Sequence, residues 1–144
     1  PRYLPCDPSV GVFACGLNER SLLRDASAFS RALKSMALRD LLVYAGALEP
    51  GVEPQVRYYA DSDGLEVDFV LLLADGRGAP INVEIGEAQV KGSIKRLQRL
   101  CKKVRNGGRL GEAAFCAVIL ASTDQPRRDE ATGTFVFPIT TFGA

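Results

Sequence analysis

Apolar side chains first recur at helical spacing in the stretch Phe29, Leu33, Met36, Ala37, Leu41, Tyr44 and Leu48. Intervals of three and four predict a helix over 28–47 that buries one face. Gly46 and the turn-rich EPGVEP run end it. Ahead of it, Asn18 is a plausible N-cap for a short helix in ERSLLRDA. Residues 1–17, punctuated by proline and glycine, read as an irregular entry segment, which leaves 18–144 as one domain. After position 54 the period changes. QVRYYA (55–60), LEVDFVLLL (65–73) and INVEI (81–85) have strand length and composition, and DSDG and ADGRGAP form the turns between them. A second helix is expected over 89–105. It is followed by a buried strand in AAFCAVILA, a polar loop from Ser122 to Thr132 and a last strand in TFVFPI. Three adjacent strands ahead of a crossover helix predict an α/β fold, a mixed central sheet with helices on both faces.

The chain of 144 residues is about the size of one domain, and an apolar fraction of 47% is enough for a core. A formal charge of +1 favours no partner class, so any affinity for anions must come from how charge is distributed. Histidine is absent, which removes His-dependent triads, His bases and His metal ligands. Without it, no serine, threonine or cysteine has an obvious activating base. None of Cys6, Cys15, Cys101 and Cys116 forms a C-x-x-C pair, so a zinc ribbon is not expected. The thiols read as reduced and mostly buried, in a cytoplasmic chain. No apolar run approaches the ~18 residues of a membrane span, and no signal peptide is evident. The glycines of ADGRGAP join two strands and open no helix, so they are not a phosphate loop. Because the chain starts at Pro1 without a methionine, it reads as a piece of a longer protein.

Acids interrupt the second and third strands. Strict alternation puts Glu66, Asp68 and Val70 on one face, and Asn82, Glu84 and Gly86 on one face of the next strand. If the two strands form a hairpin, Asp68 and Glu84 are expected to face the same side. Neighbouring carboxylates are tolerated when a cation lies between them, and oxygen ligands suit Mg²⁺ or Mn²⁺. Such an ion activates water and stabilises charge on a phosphodiester. The competing reading makes these acids ordinary strand-end residues paired with lysines.

RYYADSDGLEVDFVL, followed by INVEI, resembles the C-terminal domain of prokaryotic P-loop ATPases of the AAA type, a domain catalogued as of unknown function. Gly64, Glu66, Val67, Asp68, Phe69 and Glu84 match its pattern of a glycine turn, Glu-Val-Asp-Phe and a strand ending in Glu-x-Lys. SRALKSMALRDLLVYAGAL resembles the preceding helix of that family, and LGEAAFCAVILA and VFPITTFGA its last strands. The resemblance implies a restriction-endonuclease-like fold with a PD-(D/E)xK-type site. There the Asp and Glu hold the metal and the Lys orients water. The lysine position holds Gly86, and the helix position where relatives carry Glu holds Lys34. The resemblance therefore implies a degenerate nuclease site made of Lys34, Glu66, Asp68, Glu84 and Gly86. Mg²⁺ would be confined to Asp68 and Glu84, and ATP would be bound only by a preceding ATPase domain. The expectation is a non-catalytic module that binds nucleic acid or a protein, or docks on its own ATPase domain. The alternative is an active Mg²⁺-dependent nuclease in which Lys34 or Lys91 has taken the role of the missing lysine.

Projected as a helix, residues 90–105 gather Val90, Ile94, Leu97, Leu100, Cys101 and Val104 on one arc. Lys91, Lys95, Arg96, Arg99, Lys102, Lys103 and Arg105 cover the rest, and no acid occurs between Glu87 and Glu112. Solvated helix faces usually mix signs, so this one suits a negatively charged partner such as a DNA or RNA backbone or an acidic protein surface. No aromatic residues interleave the cations for base stacking, and the apolar arc is needed for the core, which argues against a membrane surface.

Overall fold

The computed structural model describes residues 9, 12, 14–107, 112–122 and 125–142. Ser9, Val12 and Ala14 have helical backbone, so the entry segment is not wholly irregular, and most of it lies outside the described residues. Helix α1 (Glu19–Arg24) opens on Asn18 as expected. The Asn18 side chain accepts from the Ser21 amide, and the Ser21 hydroxyl accepts from the Asn18 amide. Asp25 ends α1 and at once caps α2 (Ala26–Leu48) by accepting from the Ser27 and Ala28 amides. These bonds satisfy donors that a helix start leaves without an internal partner.

Strands β1 (Gln55–Ala60), β2 (Glu66–Leu72) and β3 (Gly78–Glu84) form an antiparallel meander. A 3₁₀ turn (Glu87–Gln89) leads into α3 (Val90–Gly107). Then come β4 (Ala117–Leu120), β5 (Arg127–Arg128), β6 (Phe135–Pro138) and a closing 3₁₀ turn (Ile139–Phe142). The six-stranded sheet has the order β1-β2-β3-β4-β6-β5, parallel from β3 through β4 to β6 and antiparallel elsewhere. It is the mixed α/β sheet that the order of elements predicts.

Two buried clusters define the layers. Leu33, Ala37, Leu41 and Ala45 of α2 pack on Phe69, Leu71, Ala79, Ile81, Val83 and Ile119. Ile94, Leu97 and Leu100 of α3 pack on Leu65, Val67, Val70, Val118 and Leu120. The two helices thus cover opposite faces. The far end of the predicted α2 stripe leaves the sheet. Leu48 is 78% exposed, and Tyr44 turns outward to donate to the Phe142 carbonyl and pack on its ring.

The sheet departs from the pattern reading by more than one residue at three places. β3 starts at Gly78 rather than 81, because the turn closes early: the Leu73 amide donates to Arg77, and Gly76 takes the left-handed conformation at φ +85°. Pro80, which lacks an amide hydrogen, is tolerated because pairing with β4 begins only at Ile81. The fourth strand is shorter than its apolar run, since pairing starts at Ala117. The polar loop contains β5, a two-residue edge strand too short and too charged to be read from periodicity.

Candidate functional site

The β1–β2 register slips by one residue. Arg57 pairs with Val70 and Tyr59 with Val67, so Tyr58 opposes both Asp68 and Phe69. This is a β-bulge, and it moves the side chains beyond it to the other face. Val67 and Val70, three residues apart, therefore both pack under α3. Regular pairing with β3 stops at Phe69 opposite Ile81. Beyond that point side chains replace the ladder. The Asp68 amide donates to Asn82 Oδ1 at 3.0 Å, and the Val83 amide donates to Asp68 Oδ2 at 2.9 Å. Lys34 of α2 places its Nζ 2.7 Å from Asp68 Oδ1. Both carboxylate oxygens are thus engaged, one by a cation and one by backbone.

Glu84 takes the other direction. Ile81, Val83 and Ile85 of its strand pack toward α2, which sends Asn82 and Glu84 toward α3. Asn82 Nδ2 lies 3.5 Å from the Ser93 carbonyl, and Glu84 pairs with Arg96, both partners being on α3. Asp68 and Glu84 were expected to face one another. They instead bind helices on opposite sides of the sheet. Glu66 lies exposed at the start of β2, paired with Ala60 rather than beside Asp68. Gly86 caps the 3₁₀ turn, its amide donating to Gln89 Oε1. A Cβ there would meet only Ser122 Oγ at 3.6 Å, an ordinary contact. Lys91 is exposed on α3, in a shallow recess with Glu87 and Arg127, on the side of the sheet away from Lys34.

The basic helix is amphipathic as projected, but two of its cations are already used. Arg96 holds Glu84. Lys103 donates to Asp61 and Asp63 in the β1–β2 turn. Asp61 also accepts from the Leu65 and Asp63 amides and from the Tyr59 hydroxyl. The Lys103 hydrogen bond is the main cause that brings the Asp61 carboxyl down to about 2, and the same bond raises Lys103. These two residues tie the helix to its own domain and leave the expected partner-facing set. Lys91, Lys95, Arg99 and Lys102 remain exposed. Their intervals of four, four and three residues align them along one face for about 16 Å. Among the described residues, Lys95, Arg99 and Lys102 form no ion pair.

The family described as Domain of unknown function (DUF4143) matches residues 30–142. The chain belongs to that family. This DUF4143 domain is also similar to a chain in a solved structure, the refined half-complex from a tetradecameric assembly of Thermococcus gammatolerans McrB AAA+ hexamers with bound McrC. The likeness has a TM-score of 0.44 at 11% identity and covers 82% of this chain and 29% of that one. No curated protein sequence matches.

Beside Lys34 and Asp68, the DUF4143 domain has a cleft of about 610 Å³ between α2 and the β1–β2 edge. Arg31, Arg57 and Tyr58 line it with them, and Arg31 also bonds the Ser27 hydroxyl. Sequence reasoning singled out none of these three. Arg31 stands one helical turn before Lys34, a spacing that could have flagged it. Tyr58 comes to oppose Asp68 through the bulge, which has no sequence signature here. No helix among the described residues is long and apolar enough to cross a membrane.

Proposed function

We propose that this domain is a non-catalytic, restriction-endonuclease-like module of a P-loop ATPase, and that it binds nucleic-acid backbone through the exposed face of α3. The observation that carries the non-catalytic part is the state of the two acids. Asp68 is held by Lys34 and the Val83 amide, and Glu84 by Arg96 behind the sheet. A divalent ion shared by both would need carboxylates converging within a few ångströms. The residues present do not fit such a centre, and no hydrolytic step follows from them. Gly86 supplies no ammonium where the family pattern has one.

The row Lys91, Lys95, Arg99 and Lys102 supports the binding part, since aligned cations, three of them outside any ion pair among the described residues, suit a polyanion. A second reading, docking on the ATPase domain or another protein, is favoured by the outward apolar residues Leu23, Val43 and Leu48. Fluorescence anisotropy with duplex DNA and with RNA, repeated across salt concentrations, tests the first reading. The same samples incubated with Mg²⁺ or Mn²⁺ and run on a denaturing gel test for cleavage. The proposal requires salt-sensitive binding and intact substrate. Absence of binding to either nucleic acid moves the function to the protein-docking reading.

A further inference from the structure

Cys101 and Cys116 bring their sulfurs to 3.1 Å, one from the middle of α3 and the other from the residue before β4. We propose that these two thiols are a disulfide-forming modification site, a redox clamp that covalently ties the basic helix to the central sheet. The inference rests on thiol geometry and is independent of what α3 binds. Closing the bond requires the sulfurs to approach by about 1 Å, a movement that side-chain torsions can supply. Both partners are held in place. Leu100 and Leu97 anchor the Cys101 turn in the core, and the Cys116 carbonyl accepts from the Phe135 amide.

The two sulfurs are not equivalent. Cys116 is buried, whereas Cys101 is half-buried and borders a narrow slot with Pro80, Val104 and Ala113. The hydrogen bond with Cys116, aided by the charge of Arg105 one turn on, brings the Cys101 thiol down to about 7, and the same bond pushes Cys116 up. Cys101 is therefore the attacking thiolate. A low-molecular-weight disulfide is the oxidant. The Cys101 thiolate attacks one of its sulfurs, forming a mixed disulfide and expelling one thiolate, which takes up the proton Cys101 gave. Cys116 then loses its proton and attacks the Cys101 sulfur, expelling the second thiolate, which is protonated in turn. The protein dithiol is oxidised by two electrons, and one small disulfide is reduced to two thiols.

The chain is equilibrated in glutathione buffers of rising oxidised fraction, quenched with acid and analysed by intact mass and peptide mapping. The expected result is a mass loss of two hydrogens, a single cross-link joining Cys101 to Cys116, and reversal by dithiothreitol. Because the closed loop spans 15 positions, the oxidised form should melt about 5–10 °C higher. Cys101→Ser and Cys116→Ser each abolish the cross-link. Should either fail to fold, the Cys6→Ser, Cys15→Ser double variant keeps only the pair, and the cross-link must still form in it. Thiols that stay reduced across the series, or that carry separate glutathione adducts, overturn the proposal. So does a cross-link that joins other cysteines.

Discussion

Asp68→Ala tests whether this acid is a structural hub or a displaced metal ligand. The substitution leaves the Val83 amide, on a residue only 2% exposed, without its acceptor. Stranding a buried donor costs about 1–3 kcal/mol. The ion pair with Lys34 is lost as well. Its side chains are 25% and 14% exposed, so solvent screening reduces that share to about 0.5–1 kcal/mol. Together the expected destabilisation is about 1.5–4 kcal/mol. Asp68→Asn removes the charge but keeps an acceptor for Val83, and should cost about 1 kcal/mol or less. Urea unfolding of the three proteins, followed by circular dichroism, reads both numbers as midpoint shifts at constant slope. In an empty metal centre the carboxylate is under repulsion, and its removal is neutral or stabilising. That result for Asp68→Ala, or equal losses for Ala and Asn, would refute the hub.

Three further expectations follow from the same geometry. Replacing Lys95, Arg99 and Lys102 together by Glu should leave the fold intact, because all three are exposed, while lowering the salt slope of nucleic-acid binding by about 2–3 units. An unchanged slope in anisotropy titrations would remove this face from the interface. Gly86→Lys combined with Lys34→Glu should not create a Mn²⁺ site in calorimetry, since Glu84 remains on the α3 side. The Lys103–Asp61 anchor should be acid-sensitive. Asp61 is depressed from 3.8 to about 2 in the fold, so its contribution is complete above about pH 4 and disappears as pH falls through about 2. The melting-temperature gap between the wild type and Lys103→Met should narrow over that window, and a constant gap would contradict the assignment.

Much of the scaffold was legible because one-sided burial leaves a periodic trace. Leu33, Ala37 and Leu41 mark the inner face of α2, and Ile94, Leu97 and Leu100 that of α3. The site was less legible because its geometry depends on a break in that period. From Phe69 to Leu72 β2 is apolar at every position, since the sheet is covered on both faces there. A run of that kind carries no parity, so the bulge at Asp68 and Phe69 leaves no mark in the pattern. Counting by twos then placed Val70 beside Asp68 and Asp68 beside Glu84. Charge patterning failed for a different reason. Arg96 and Lys103 look like their neighbours on α3, and only the fold brings Glu84, Asp61 and Asp63 to them. The turn that carries Asp61 and Asp63 was legible, but its contact with a helix some forty residues later was not.

The most direct test of the central claim is a calorimetric titration of the wild-type domain with Mn²⁺ at neutral pH, beside Asp68→Ala. If Lys34 and the Val83 amide hold Asp68 while Arg96 holds Glu84 on the other face, neither protein gives a saturable binding heat. Stoichiometric Mn²⁺ binding by the wild type that vanishes in Asp68→Ala would show that the two carboxylates do converge on a metal, and the non-catalytic account would fall.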